Sequence, residues 1–237
     1  MSRAATKRLE RRKLAWYLRP FKWLLWFITI SVLWVLVYVV VPPPVTFTML
    51  ADSKGITKDW TGLSGIDRNM VRAVIAAEDG KFCSHDGFDR EAIEEAIERN
   101  AKGKKLRGGS TVSQQTAKNV FLWQGSGWTR YVRKVPEVWF TFLIETIWGK
   151  RRIMEVYLNV AETGIGTYGV EAGAQRYFKH GAAQLTPREA ARIAAILPLP
   201  KKREAISPSG FTRRYGRTIT ARIGVVRRDG LDACVYE

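Results

Sequence analysis

Apolar residues run almost unbroken over positions 21–41, FKWLLWFITISVLWVLVYVVV, and then recur at helical spacing through most of the remaining chain. Such a run, whose single charge Lys22 sits at its edge, matches the ~20 residues needed to cross a hydrocarbon core. No amphipathic face can be drawn on it, as a half-buried soluble helix would require. Its length, its Trp23, Trp26, Trp34 and Tyr38, and the lack of a small-x-small cleavage site separate it from a signal peptide. The pattern predicts one transmembrane helix over 21–41, a stiff VPPPV exit, and a linker of loop or short strands over 42–64.

Beyond the linker the period is close to 3.6. DRNMVRAVIAAED places Met70, Val71, Val74 and Ile75 on one stripe behind an Asp67 N-cap and stops at Gly80. DREAIEEAIERNAK starts at Asp89, carries Ala92, Ile93, Ala96 and Ile97 as its apolar face, and ends near Gly103. STVSQQTAKNVFLW opens on a capping-box pattern, Thr111 with Gln114 three positions on. KVPEVWFTFLIETIW has Pro136 near its start, where proline is tolerated, and stops at Gly149; RRIMEVYLNVAET stops at Gly164. TPREAARIAAIL is capped by Thr186 with Glu189, has Pro187 at its first position, and ends before Pro198. No strand alternation of any length is visible, so the fold class is mainly α. The organisation predicted is a basic tail (1–20), the transmembrane helix (21–41), the linker (42–64), one domain (65–200) and a basic C-terminal segment (201–237).

Charge orients this arrangement. The net charge is +17, and between Ser2 and Lys22 eight Lys/Arg face one acid, Glu10. A cationic cluster preceding the span keeps the N-terminus in the cytoplasm and puts the domain outside. In a bacterium that would be a single-pass anchor in the inner (cytoplasmic) membrane, with the domain in the periplasm or on the outer face of the membrane. Outward topology excludes nucleic acid as partner and leaves membrane lipids as the anionic surface. Two cysteines, Cys83 and Cys234, would be permitted a disulfide there; the expectation is that they are unpaired.

Three stretches carry candidate chemistry. Glu78 and Asp79 fall at the end of a helix, where the dipole disfavours a carboxylate and raises its pKa, as a general base requires. Two solvated acids at a helix end would look the same. In RGGSTVSQQTAKN (107–119) a Gly-Gly pair runs into a capped helix start, where free N–H groups can take an anion. There Thr111, Gln115 and Lys118 share a face suited to phosphate or sugar, though a polar surface helix is the simpler reading. RKVPE (133–137) packs Arg133, Lys134 and Glu137 together, as an exposed salt-bridged turn would. Together they set two glutamates, which suit glycosidic chemistry, beside cations that suit a phosphate leaving group.

EDGKFCSHDG (78–87), GGSTVSQQTAKN (108–119), RKVPE and RRIMEVYLNVAETGIGTYGV (151–170) resemble, in order, the signatures of the family 51 glycosyltransferases, the peptidoglycan glycosyltransferases. LTPREAARIAAILPLP (185–200) resembles the family's closing segment. The likeness covers about 65–200; Cys83 falls where the signature varies, and there is no S-x-x-K or K-T-G of an added transpeptidase domain.

The resemblance implies a lysozyme-like α-helical glycosyltransferase domain with larger and smaller lobes around a cleft. The substrate would be lipid II and the nascent glycan strand, polymerised with inversion and release of undecaprenyl pyrophosphate. It implies Glu78 as the base on the acceptor 4-hydroxyl and Glu137 as a second carboxylate that assists departure or orients the donor, with room for Mg2+ or Mn2+ but no certain cofactor and no assigned metal ligand. Lys118, Arg133 and Lys134 would hold the pyrophosphate. Asp79, Phe82, His85, Ser110, Thr111, Gln114, Gln115 and Asn119 would line or shape the cleft, His85 equally as a satisfied loop histidine. Glu145, Glu155, Tyr157 and Asn159 read as scaffold. VFLWQGSGWTRYVRK (120–134) corresponds to a region that lies against the bilayer, although Phe121, Leu122 and Trp123 also suit a core. Other cell-wall synthesis proteins are expected partners.

Two rivals remain. A lytic transglycosylase or lysozyme-like hydrolase would share the fold but needs no pyrophosphate site, so the cations weigh against it. An anchored binder of anionic polymer would not depend on Glu78.

Overall fold

The computed structural model describes residues 3–101, 109–125 and 127–237. Gly103, Arg107 and Gly108 lie outside them. The chain divides into two compact units, Met1–Val41 and Pro42–Glu237.

The first unit is one helix, α1 (Arg3–Val40), so the span predicted from 21 onward is part of a longer helix with Pro20 inside it. Its window Trp16–Val40 has mean hydropathy 2.4, long and apolar enough to cross a membrane. Trp23, Leu25 and Trp26 point outward and are exposed, the opposite of a soluble core helix.

The second unit begins inside the predicted linker. Thr46 caps α2 (Phe47–Leu50), whose Met49 is fully buried. β1 (Thr57–Lys58) follows, then a 3-10 turn over Leu63–Gly65. Residues 42–64 are thus folded into the domain. α3 (Arg68–Glu78) is capped by the Asp67 carboxylate accepting from the Asn69 N–H, a contact worth about 0.5–2 kcal/mol. Met70, Val71, Val74 and Ile75 are buried as its stripe requires, each contributing about 1.5–3 kcal/mol.

α4 (Arg90–Ala101) corrects the sequence expectation, since none of Ala92, Ile93, Ala96 and Ile97 is buried and Ile97 is exposed. Periodicity reports a face, not whether anything packs on it. α5 (Val112–Phe121) has the full capping box between Thr111 and Gln114. α6 (Thr129–Ile147) begins five residues before the predicted start, so Pro136 lies inside it rather than near its N-terminus. No side chain caps that start, which left the sequence without a signal for it.

α7 (Gly149–Val160) runs into β2 (Glu162–Gly164) and β3 (Thr167–Tyr168). β3 lies between β1, which is parallel to it, and β2, which is antiparallel. Strands of two or three residues are too short to show alternation, and β1 finds β3 only after the chain has folded. α8 (Val170–Phe178) precedes α9 (Pro187–Ile196), which carries the Thr186–Glu189 capping box. α10 (Gly210–Arg228) and the short α11 (Ala233–Tyr236) end the chain.

Two helix groups form the body of this unit. α3 packs on α9 and α10, and α5 packs on α6 and α7. Cys83 and Cys234 form a disulfide, with Cα atoms 5.5 Å apart across 151 positions of sequence. The expectation of unpaired thiols is therefore wrong; only the folded path brings α11 to the turn after α3. That corner also holds a largely buried Arg72–Asp232 ion pair at 2.8 Å, Arg68 over the Tyr236 ring, and an Arg151 bond to the Val235 carbonyl.

α6 turns an apolar edge outward. Tyr131, Val135, Val138 and Phe142 recur every three or four residues and all are exposed, as is Trp128 just before the helix. Phe121 and Leu122 are buried core, whereas Trp123 is exposed.

Candidate active site

The site is assembled where the end of α3 meets α5. Glu78 is the last residue of α3, and Asp79 ends the helix. Val112 at the start of α5 donates its N–H to Asp79 Oδ2 at 2.9 Å, and His85 Nε2 lies 2.9 Å from Asp79 Oδ1. The Gly87 N–H donates to His85 Nδ1 at 3.1 Å. Nδ1 is thus an acceptor, and Nε2 carries the proton given to Asp79. Asp79 and His85 are committed to holding the loop, and Phe82 is fully buried beneath it, with Lys150 Nζ 4.8 Å over its ring. Gly87, at φ 88°, is required here, because a Cβ would fall 2.8 Å from the Thr141 methyl.

Glu78 behaves differently. Its Oε2 accepts from Gln115 Nε2 at 3.0 Å, while Oε1 is buried and has no hydrogen-bond partner among the described residues. Burial pushes its pKa above the ordinary value of 4.5, against the opposing pull of Gln115, Arg203 and Lys118. Gln115 in turn accepts weakly from the Tyr157 hydroxyl at 3.4 Å. A cavity of about 290 Å³ opens on one side of this pair, lined by Glu78, Ser110, Thr111, Glu95 and Arg222. A second, of about 490 Å³, is lined by Gln115, Lys118, Asn119, Tyr157, Glu162 and Lys201.

Because the Gln115 amide stabilises the charged carboxylate, its removal should raise the pKa of Glu78 further. In Gln115→Leu the acid limb of the pH–rate profile is expected to move to higher pH. A kcat/KM profile with that limb unmoved would detach Gln115 from Glu78.

The cations gather on the other side. Lys118, on α5, faces the larger cavity and has no acceptor among the described residues. Burial lowers its pKa, and the charges of Arg133 and Lys134 lower it further while Glu137 opposes them. Lys134 Nζ donates to Glu137 Oε1 at 2.5 Å, and Arg133 Nε is 3.6 Å from Oε2. Arg133 also donates to the Trp123 and Gln124 carbonyls, at 3.1 and 2.6 Å. Glu137, buried between two cations, orders them.

Glu137 Oε1 is paired with Lys134, Oε2 is buried without a hydrogen-bond partner, and among the described residues no three His, Cys, Asp or Glu side chains converge. Thr111 and Gln114 are spent on their capping box, Thr111 donating also to the Gly87 carbonyl. They shape the cleft, Thr111 also lining the Glu78 cavity. Glu145 joins Ser113 to Lys150, Glu155 pairs Arg152 and accepts from the Leu63 N–H, and Asn159 bonds both backbone groups of Thr61.

Sequence reasoning missed the contribution of the C-terminal segment. Arg203, whose charge acts on Glu78, is held by the Ala195 carbonyl at 2.6 Å. Tyr215 donates to the Ala77 carbonyl at 2.8 Å, and Arg222 lines the Glu78 cavity. All three lie past Pro200, in the basic segment that by sequence alone reads as a solvated helix face or an anionic-lipid contact. The spacing of Tyr215, Ile219, Arg222 and Val226 on one side of α10 was the available signal.

Comparison with known proteins agrees with this geometry. The Transglycosylase family model matches residues 46–222. A Caulobacter vibrioides protein named biosynthetic peptidoglycan transglycosylase is 52% identical over 204 residues, 85% of this chain and 88% of that one. Proteins of the same name from Rhodospirillum centenum and Xanthomonas axonopodis pv. citri are 46% and 45% identical, covering 83% and 89% of this chain and 86% and 87% of their own. With the match spanning both the buried carboxylate and the cation cluster, this chain belongs to the transglycosylase family.

Proposed function

We propose that this protein is an inverting peptidoglycan glycosyltransferase that polymerises lipid II into glycan strands. The observation that carries this reading is a buried, half-unsatisfied Glu78 on one side of Gln115 and an acceptor-free Lys118, backed by Arg133 and Lys134, on the other. Glu78 Oε1 takes the proton of the acceptor sugar's 4-hydroxyl. The freed oxygen pair forms the bond to C1 of the growing strand's terminal sugar, and the bond from C1 to the pyrophosphate oxygen breaks. Charge passes to undecaprenyl pyrophosphate, where fixed cations stabilise it as it develops. Glu137 orients the cations. A hydrolase would also use a glutamate of raised pKa, but has no use for the cations.

α1 anchors the protein in the bacterial inner membrane with its basic N-terminus in the cytoplasm. The outward apolar edge of α6 rests in the interface, where a lipid-borne substrate is reached without leaving the bilayer. Membrane lipids and other cell-wall synthesis proteins are its partners.

Full-length protein in detergent with purified lipid II is expected to yield glycan strands. Soluble muropeptides from added peptidoglycan, with no strands from lipid II, would assign a lytic activity instead. Lys118→Ala is expected to lower turnover about 100-fold or more while leaving the thermal midpoint near wild type. An unchanged rate would remove Lys118 from pyrophosphate binding.

A further inference from the structure

The Glu78 cavity uses one flank of α10, and the other flank forms a separate groove. Arg213, Arg217 and Thr220 follow one another at i, i+4 and i+7 and so share a face. Arg222, which lines the Glu78 cavity, is nine positions from Arg213, about two and a half turns, and therefore points to the opposite side. Across from the first face lie Arg188 and Arg192, one turn apart on α9. Together the two helices and the 206–208 turn enclose a groove of about 660 Å³, a volume in the range of small-ligand sites.

No acidic residue lines this groove. None of its four arginines has an ion pair or side-chain acceptor among the described residues. Nearby carboxylates are spent elsewhere: Glu189 on its capping box and His180, Glu204 on the Ala205 and Ile206 N–H groups. Arg188 stands in the first turn of α9, where the helix dipole opposes a cation. At the other rim Ser209 makes no side-chain cap to α10, leaving first-turn N–H groups beside Pro208 and Thr212. Arg188, Arg213 and Arg217 are exposed and Arg192 is half-buried, so four guanidiniums, hydroxyls and a helix start offer donors and one sign of charge with nothing anionic among them.

We propose that the groove between α9 and α10 is a second anion site, separate from the catalytic cations, that binds a phosphate-bearing ligand carrying more than one negative charge. Forked guanidinium donors from both walls match phosphate oxygens bidentately. The phosphate comes either from a soluble diphosphate or from anionic lipid headgroups.

The test uses full-length protein in uncharged detergent, titrated calorimetrically with inorganic pyrophosphate. Wild type is expected to show two sites. Arg192→Gln/Arg213→Gln should lose one, with affinity there reduced more than tenfold, while Lys118→Ala loses the other. If the ligand is a headgroup, the double variant leaves the pyrophosphate isotherm unchanged. Phosphatidylglycerol-doped micelles, compared with phosphatidylcholine-doped ones, then raise the thermal midpoint of wild type and not of the variant. Arg214→Gln/Arg227→Gln removes the same charge, from positions of α10 that do not line the groove. An equal loss in that control, or no difference between wild type and the groove variant with either ligand, overturns the proposal.

Discussion

Glu78→Gln should abolish strand synthesis while leaving the protein folded and at least as stable as wild type. Loss of a positioned general base costs about 10²–10⁴ in rate, or about 3–5 kcal/mol of barrier at 1.36 kcal/mol per tenfold. The amide is isosteric, and it can keep a hydrogen-bonding contact with Gln115. The sign of the stability effect follows from the carboxyl's environment. Burial raises the folded-state pKa of Glu78, so its contribution to stability is complete below the unfolded pKa and is lost as pH rises through the folded one. Once pH exceeds the folded pKa wild type has lost that contribution, whereas the neutral amide never ionises. Thermal midpoints are therefore expected to match at low pH, with the variant equal or higher as pH rises. Strand synthesis on lipid II within threefold of wild type would remove Glu78 as the base. A large fall in midpoint would mean that its loss of activity reports on folding.

Removal of the Cys83–Cys234 bond has the largest expected effect on stability. The bond closes a long loop, and such a native disulfide typically contributes about 2–5 kcal/mol by restricting the unfolded chain. For a domain of this size that is roughly 4–20 °C in thermal midpoint. Cys83→Ala/Cys234→Ala, or wild type under thiol reductant, should show it, and an oxidised wild type no more stable than either would sink the expectation. Turnover should suffer less than stability at low temperature. The turn that carries Cys83 is also held by the Asp79–His85 and Gly87–His85 bonds, the buried Phe82 and the Lys150 bond to the His85 carbonyl. The disulfide is at home in an oxidising compartment, which supports the proposed outward-facing domain.

Much of this molecule was legible before its structure. The apolar run at 21–41, the caps Asp67, Thr111 and Thr186, and the stripe of α3 are written in adjacent residues, because each depends on contacts no more than a few positions apart. The motif stretches likewise named Glu78, Gln115, Lys118 and the Arg133–Glu137 cluster. Composition and order along the chain were sufficient for the fold class and the family likeness.

Other features depend on residues far apart in sequence, and only the tertiary structure decided them. Burial, not position at a helix end, is the first cause of the raised pKa of Glu78, and burial depends on α9 and α10 packing on α3 and on α5 meeting its end. Asp79 and Glu78 look equivalent as neighbours, yet one is bonded on both oxygens and the other keeps an oxygen free. The pairing of Cys83 with Cys234, the β1–β3 contact and the interior place of Pro136 have no local signature, and the spacing along α10 marks a face without saying what it packs on. Each is set when helices that carry their own start and stop signals choose partners by packing, a choice made between surfaces rather than along the chain.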